Sequence, residues 1–378
     1  MTTLFDLQTP ALVLDRSKLD RNLECMRDRV TRLGATLRPH VKTAKSIDVI
    51  QRAGTDAGIT VSTLREADYF FENGVTDMVY AVGIAPNKLR HVTGLIQRGA
   101  ALTVLLDNVA VVSEVARAAA ECGVRVPVLI EVDVDGHRAG VAPHSAQLID
   151  IGRAIVSSSH LALRGVLTHA GGSYSCNGVQ ELEAFAEQER AGAVEAATRL
   201  RAAGLPAPVV SIGSTPTASF VRMLEGVTEV RVGVYMMQDL VMAGLQVCAI
   251  DDIALCVLVC VIGHRSDNGG LITDGGWMAL SRDLGTARQA QDYGYGLVVD
   301  AAGRRLSPEL IVKSANQEHG IVVRRDGGPL DPRQYPVGSL LRVLPNHACA
   351  TGAQHSLYHV VEGDNPTVVA MWPRLSGC

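Results

Sequence analysis

Leu37-Arg38-Pro39-His40-Val41-Lys42-Thr43-Ala44-Lys45 is the stretch on which the reading of this chain turns. An apolar-alternating run enters it and a helical pattern leaves it from Ser46. Lys42 therefore stands at the exit of the first strand of an α/β unit, the end at which such folds keep their chemistry. Most lysines are solvated loop residues. Here Arg38, His40 and Lys42 put three cations within five residues, two of them flanking a rigid proline. Neighbouring positive charge and burial both favour the neutral amine, the form a lysine needs to make an imine with a carbonyl.

Outward from that stretch a rhythm appears. Strand-like runs recur at Leu37–Lys42, Ile59–Ser62, Met78–Val82, Leu102–Leu106, Pro127–Asp133, Leu163–His169, Val209–Gly213 and Glu229–Tyr235. Helical patterns such as Glu66–Asn73, Val109–Cys122 and Val179–Ala203 separate them. Alternating β and α segments imply parallel strands with right-handed crossovers, and about eight such units point to an α/β fold of the (β/α)8 barrel class. A doubly wound open sheet is the alternative, but no glycine fingerprint follows the first strand. After Gly244 the pattern turns β-rich, with many Gly, Asp and Pro turns, which predicts a mainly antiparallel second domain. The expected division is residues 17–244 for the barrel and 245–378 for the β domain, the latter joined by the lone strand within 1–16.

Composition excludes several classes. At 378 residues the chain is long for one domain, and 47% hydrophobic with 20% charged residues suits a soluble globular protein. A net charge of −4 without a basic face, and only 4% aromatics, argue against a nucleic-acid partner. No apolar run is long enough to cross a membrane, and the start lacks the pattern of a signal peptide. The eight cysteines form no C-x-x-C pair, so most read as small buried hydrophobes in a reducing, cytoplasmic setting.

The strand exits should share one mouth. They bring Lys42, Asp133 with Arg138, His169 with Tyr174, Gly213-Ser214-Thr215, and Arg231 with Tyr235. The run Ser211–Thr217 leaves a strand and opens a helix with small residues, a potential phosphate cradle. The same letters spell an ordinary N-cap with proline near the first turn. Late in the chain, Pro345-Asn346-His347-Ala348-Cys349 places an imidazole and a thiol two residues apart. In an extended segment they would share a face, although a buried histidine beside a structural cysteine is the commoner meaning of such a pair.

The segment R-P-H-V-K-T at 38–43 resembles the pyridoxal-phosphate lysine segment of the D-serine dehydratase and D-threonine aldolase group. These are fold-type III enzymes with a barrel like that of alanine racemase. The resemblance covers nearly the whole chain and is nearest to the D-threo-3-hydroxyaspartate dehydratases. It implies pyridoxal 5'-phosphate on Lys42. His169-Ala170-Gly171-Gly172-Ser173-Tyr174 resembles the loop whose tyrosine reaches the phosphate region, and Arg138 falls where an arginine contacts the cofactor's phenolic oxygen. Arg231 matches the position of a pyridine-facing arginine in alanine racemase.

By the same resemblance His347 and Cys349 hold a catalytic divalent metal. The thiolate favours zinc, whereas the aldolases usually carry aspartate at the place of Cys349 and prefer manganese. Asn316-Gln317-Glu318-His319-Gly320 resembles a further family segment, making Glu318 and His319, with His40 and His169, supporting or substrate-side groups. The implied activity is dehydration of a D-3-hydroxy amino acid (3-hydroxyaspartate, serine or threonine) by a cytoplasmic homodimer. The alternatives are an aldolase releasing glycine, and a non-catalytic pyridoxal-phosphate carrier. The carriers are essentially barrel alone, so roughly 130 further residues with H-x-C speak against that class.

Overall fold

The structure is a computed structural model describing residues 2–266 and 270–377; Cys378 lies outside the described residues. Two compact units emerge. One contains Cys25–Lys42 and Val49–Gly233; the other contains residues 2–24, Thr43–Asp48 and residues 234–377.

In the first unit, short strands rich in Val, Ile and Leu make a barrel. They are Thr36–Pro39, Ile59–Val61, Asp77–Gly83, Ala101–Leu106, Val126–Val132, Leu161–Thr168, Val209–Ile212 and Glu229–Val232. From Ile59–Val61 onward each pairs in parallel with the next. The first strand lies parallel to the last, Leu37 opposite Val230 and Arg38 opposite Arg231. One bridge, His40 with Thr60, closes the ring, supported by Val41 N–H to Thr60 O at 2.9 Å. Both faces of such strands are covered, which is why they read as apolar runs rather than alternations. Val79, Leu105, Leu129 and Leu167 form one packed cluster of this unit. The (β/α)8 expectation holds, with earlier endings: the first strand stops at Pro39 and the last at Val232. Beyond them the backbone turns, which is what frees the following side chains for chemistry.

The second unit is a nine-stranded sheet in the order Leu271–Thr273, Gly320–Arg324, Arg305–Ala315, Leu297–Asp300, Leu340–Leu344, Leu255–His264, Ala11–Asp15, Leu357–Glu362 and Asn365–Pro373. Its neighbours are antiparallel except for Ala11–Asp15 against Leu357–Glu362. Val13, Leu258, Val299, Leu344 and Val361 belong to its buried core. Among the described residues no helix is long and apolar enough to cross a membrane.

Candidate active site

Lys42 follows the first barrel strand by three residues. Proline has no N–H to continue a ladder, and past Pro39 the chain makes single contacts only: His40 N–H to Val232 O at 2.8 Å, then Val41 N–H to Thr60 O. The Lys42 N–H reaches back to His40 Nδ1 at 3.4 Å. His40 is buried and neutral; burial first, then the charges of Lys42 and Arg231, hold its pKa well below the ordinary value. His169 is held down to about 3 by burial and by Lys42, Arg138 and Arg231, against the bond between its Nδ1 and Gly213 O at 2.7 Å. The structure thus gathers Lys42, His40, His169, Arg138 and Arg231. The result is an electropositive mouth containing two uncharged imidazoles, suited to an anionic ligand.

Beneath these groups runs a charged network. Arg38 Nε donates to Glu229 at 2.8 Å, Ser211 Oγ to Glu229 at 2.6 Å, and Arg231 Nε to Ser211 Oγ at 2.6 Å. Arg231 also donates to Thr168 O. Burial lowers its pKa to about 10, against the pull of Glu229, Glu189 and Glu131, so it remains a cation at neutral pH. Burial raises the pKa of Glu131, with the Arg138 charge opposing.

At the seventh strand exit Ser214 caps Thr215–Phe220. Ser214 Oγ accepts from Thr217 N–H and Thr217 Oγ1 from Ser214 N–H, both at 3.3 Å, with proline in the first turn. The ordinary N-cap pattern is therefore present. Behind it lies the buried Glu189, which accepts Ala170 N–H at 3.0 Å, Gly213 N–H at 3.1 Å and Thr217 Oγ1 at 2.5 Å. Gly213 has φ +149°, and a Cβ there would sit 2.1 Å from Arg231 O, so only glycine suits the position. The Thr215 hydroxyl is buried without a hydrogen-bond partner. An orphaned hydroxyl costs about 1–3 kcal/mol. A phosphate oxygen is a natural acceptor for it. These residues fit a phosphate-bearing cofactor. Tyr174 lies in the turn Gly171–Ser175, beside Ser173, whose Oγ is 2.9 Å from Ser214 Oγ.

In the β unit His347 and Cys349 do meet, but not across an extended segment. His347 caps the short helix Ala348–Gly352, and Cys349 lies in that helix's first turn. The alternation expected of a strand is thus replaced by a turn that folds the two side chains into a mutual hydrogen bond. His347 Nδ1 is 2.6 Å from Asp283 Oδ2, which leaves Nε2 for the thiol side. Burial opposes a charged His347, yet Asp283 and Cys349 raise its pKa; a bound metal takes the place of that proton. The buried Asp239 anchors the helix start, accepting Ala348 N–H and Met242 N–H at 2.9 Å each. Imidazole, thiolate and a carboxylate behind the imidazole suit a zinc-like ion. Among the described residues no group of three or more His, Cys, Asp or Glu is placed to hold a metal.

Other expected residues fall elsewhere. Tyr235 is buried in the turn Val234–Met236, past the last barrel strand. Glu318 and His319 are exposed in a hairpin turn, where Asn316 N–H bonds His319 O at 2.8 Å. The group that bonds His347 is Asp283, in Ser281-Arg282-Asp283-Leu284, a run with no signature in sequence. Glu189 is equally silent, one acid among several on Val179–Ala202. Asp239 alone carried a signal, as the acid just before a short apolar helix.

Known proteins bear on both units. The alanine racemase N-terminal domain family matches residues 14–240, and a putative serine dehydratase domain matches residues 254–361. D-threo-3-hydroxyaspartate dehydratase of Delftia sp. (strain HT23) is 51% identical over 99% of both chains. D-serine dehydratase of Dictyostelium discoideum is 29% identical, covering 98% of this chain and 97% of its own. Among solved structures, a cysteine-to-alanine variant of D-threo-3-hydroxyaspartate dehydratase in its metal-free form superposes with a TM-score of 0.97 at 48% identity, over 100% of both chains. The chain belongs to the alanine racemase-like, fold-type III family in which a serine dehydratase domain follows the barrel.

Proposed function

We propose that this chain is a pyridoxal-phosphate- and divalent-metal-dependent dehydratase, converting a D-3-hydroxy amino acid to a 2-oxo acid and ammonia. The observation that carries the reading is the pairing of two features: a strand-exit lysine among cations and neutral imidazoles, and an imidazole–thiol pair backed by a carboxylate. Bound pyridoxal phosphate supplies an aldehyde that condenses with amines and withdraws electrons from Cα. Lys42 provides the amine that holds it and, once free, the base that takes the Cα proton. Thr215 and its neighbours Gly213 and Ser214 would receive the phosphate, and Arg138 would face the phenolic oxygen; for Tyr174 and Tyr235 the family resemblance alone supports a place near the phosphate. Arg231, a cation at neutral pH, would face the ring nitrogen of the bound cofactor and favour its unprotonated form, making the ring a weaker electron sink. His40 and His169 stay uncharged, so they line the mouth without competing for the substrate carboxylate.

His347 and Cys349 would hold the divalent ion, zinc by the softness of the thiolate, and the ion would supply Lewis-acid stabilisation of a leaving hydroxyl. Glu318 and His319 are exposed on their hairpin, and the family resemblance alone supports a substrate-side role for them. The 51% identical Delftia enzyme supports D-threo-3-hydroxyaspartate as the first substrate to try. A panel of that compound, D-serine and D-threonine, each scored for ammonia, tests the assignment; ammonia from none of them contradicts it. We also infer a cytoplasmic homodimer. The seven described cysteines are all free thiols, which supports the reducing compartment, and the family supports the dimer. Light scattering that shows an active monomer would contradict the dimer.

A further inference from the structure

We infer that the Thr43 hydroxyl donates a hydrogen bond to the Cys349 thiolate when the metal is bound, and so tunes the ion's strength as a Lewis acid. The inference rests on reading His347 and Cys349 as the metal pair. Thr43 is buried, and its Oγ1 lies 3.1 Å from Cys349 Sγ. Without metal either atom can donate. A metal-ligating cysteine has no proton, so in the loaded site only the threonine hydroxyl can be the donor.

The hydroxyl is presented by a clamped backbone rather than by a loose loop. Tyr358 Oη donates to Ala44 O at 2.7 Å, and Arg374 Nε in turn donates to Tyr358 Oη at 3.2 Å. The Leu375 N–H reaches Lys45 O at 2.7 Å, and Lys45 Nζ reaches Gly377 O at 2.7 Å. Three successive residues, Thr43 to Lys45, are thereby held by Cys349, Tyr358, Leu375 and Gly377. Threonine's β-branch further restricts the direction in which its hydroxyl can point.

The two metal ligands are then tuned in opposite senses. Asp283 bonds His347 and adds electron density to the imidazole. Thr43 draws density from the thiolate, so the sulfur neutralises the ion less and more positive charge is felt by a bound hydroxyl oxygen. Thr43 acts through Cys349 and is a positioning residue, not a catalytic one.

The test uses the full-length protein with cobalt(II) in place of the native ion, which gives a thiolate-to-metal charge-transfer band in the near ultraviolet. Thr43→Val removes the hydroxyl and keeps the shape. The expected result is a shift of that band to lower energy, because the sulfur lone pairs are no longer stabilised by the hydroxyl, with Thr43→Ser restoring its position. Should the valine variant fold poorly, Thr43→Ala must show the same shift. A band unchanged from wild type in the hydroxyl-free variant overturns the inference, as does a serine variant that behaves like valine. Cys349→Ala separates the two levels of argument. Loss of the band there upholds the metal pair, whereas its persistence overturns the metal reading and the role of Thr43 with it.

Discussion

Lys42→Ala protein folds, carries no covalent cofactor, and loses turnover by roughly a thousandfold or more. The substitution removes both the amine that anchors the cofactor and the proposed base, and general-base loss alone is worth about 10²–10⁴. Folding survives because the strand ends at Pro39 and the ring is closed by backbone groups of His40, Val41 and Thr60, none of which needs the lysine side chain. Other lysines are engaged elsewhere: Lys45 Nζ with Gly377 O and Lys88 Nζ with Tyr80 Oη, both at 2.7 Å. Borohydride trapping of the wild-type protein followed by peptide mapping checks the assignment. An adduct on Lys45, Lys88 or Lys313 would refute it.

Cys349→Ala loses metal and turnover together while retaining the cofactor. With two protein ligands, removing one leaves a single imidazole, too little to hold an ion at micromolar concentrations. Hydroxide is a poor leaving group at neutral pH, and metal coordination supplies several kcal/mol of charge stabilisation. Cys349→Asp is the more telling change: it keeps a ligand and shifts preference towards a harder ion such as manganese. Metal loading also falls as the pH is lowered. The pKa of His347 is raised by Asp283 and Cys349, so acid favours the proton over the ion at the same nitrogen. Metal analysis after dialysis, run against pH, follows both effects. Unchanged metal content in Cys349→Ala would refute the pair.

How much of this could be seen in the residues alone differs between the two units. The barrel was legible because each strand is a short apolar run with a helix behind it, although the first strand was read through to Lys42 and stops at Pro39, where the missing N–H ends the ladder. The phosphate edge was half legible. Ser214-Thr215-Pro216-Thr217 announced a helix start, but Glu189, which binds two of the neighbouring backbone N–H groups, could not be told from its acidic neighbours. Its role depends on a contact with Gly213 across 24 positions. The closeness of His347 and Cys349 was legible as H-x-C, though for the wrong geometric reason, since a helix cap and not a strand brings the side chains together. Asp283 lies 64 residues from His347, in a segment without periodicity. Thr43 and Cys349 are 306 apart. Contacts of that range leave no local pattern, so no reading of spacing could have found them.

The central claim is elimination at the β-carbon under control of a metal, and product analysis tests it most directly. The loaded protein is given D-threo-3-hydroxyaspartate, and ammonia and glycine are both quantified before chelation, after it, and after zinc is restored. The account predicts ammonia with an equal amount of oxo acid, its disappearance on chelation with the cofactor still bound, and its return with zinc. Glycine with an equal amount of aldehyde as the main products, or undiminished ammonia from metal-free protein, would contradict it.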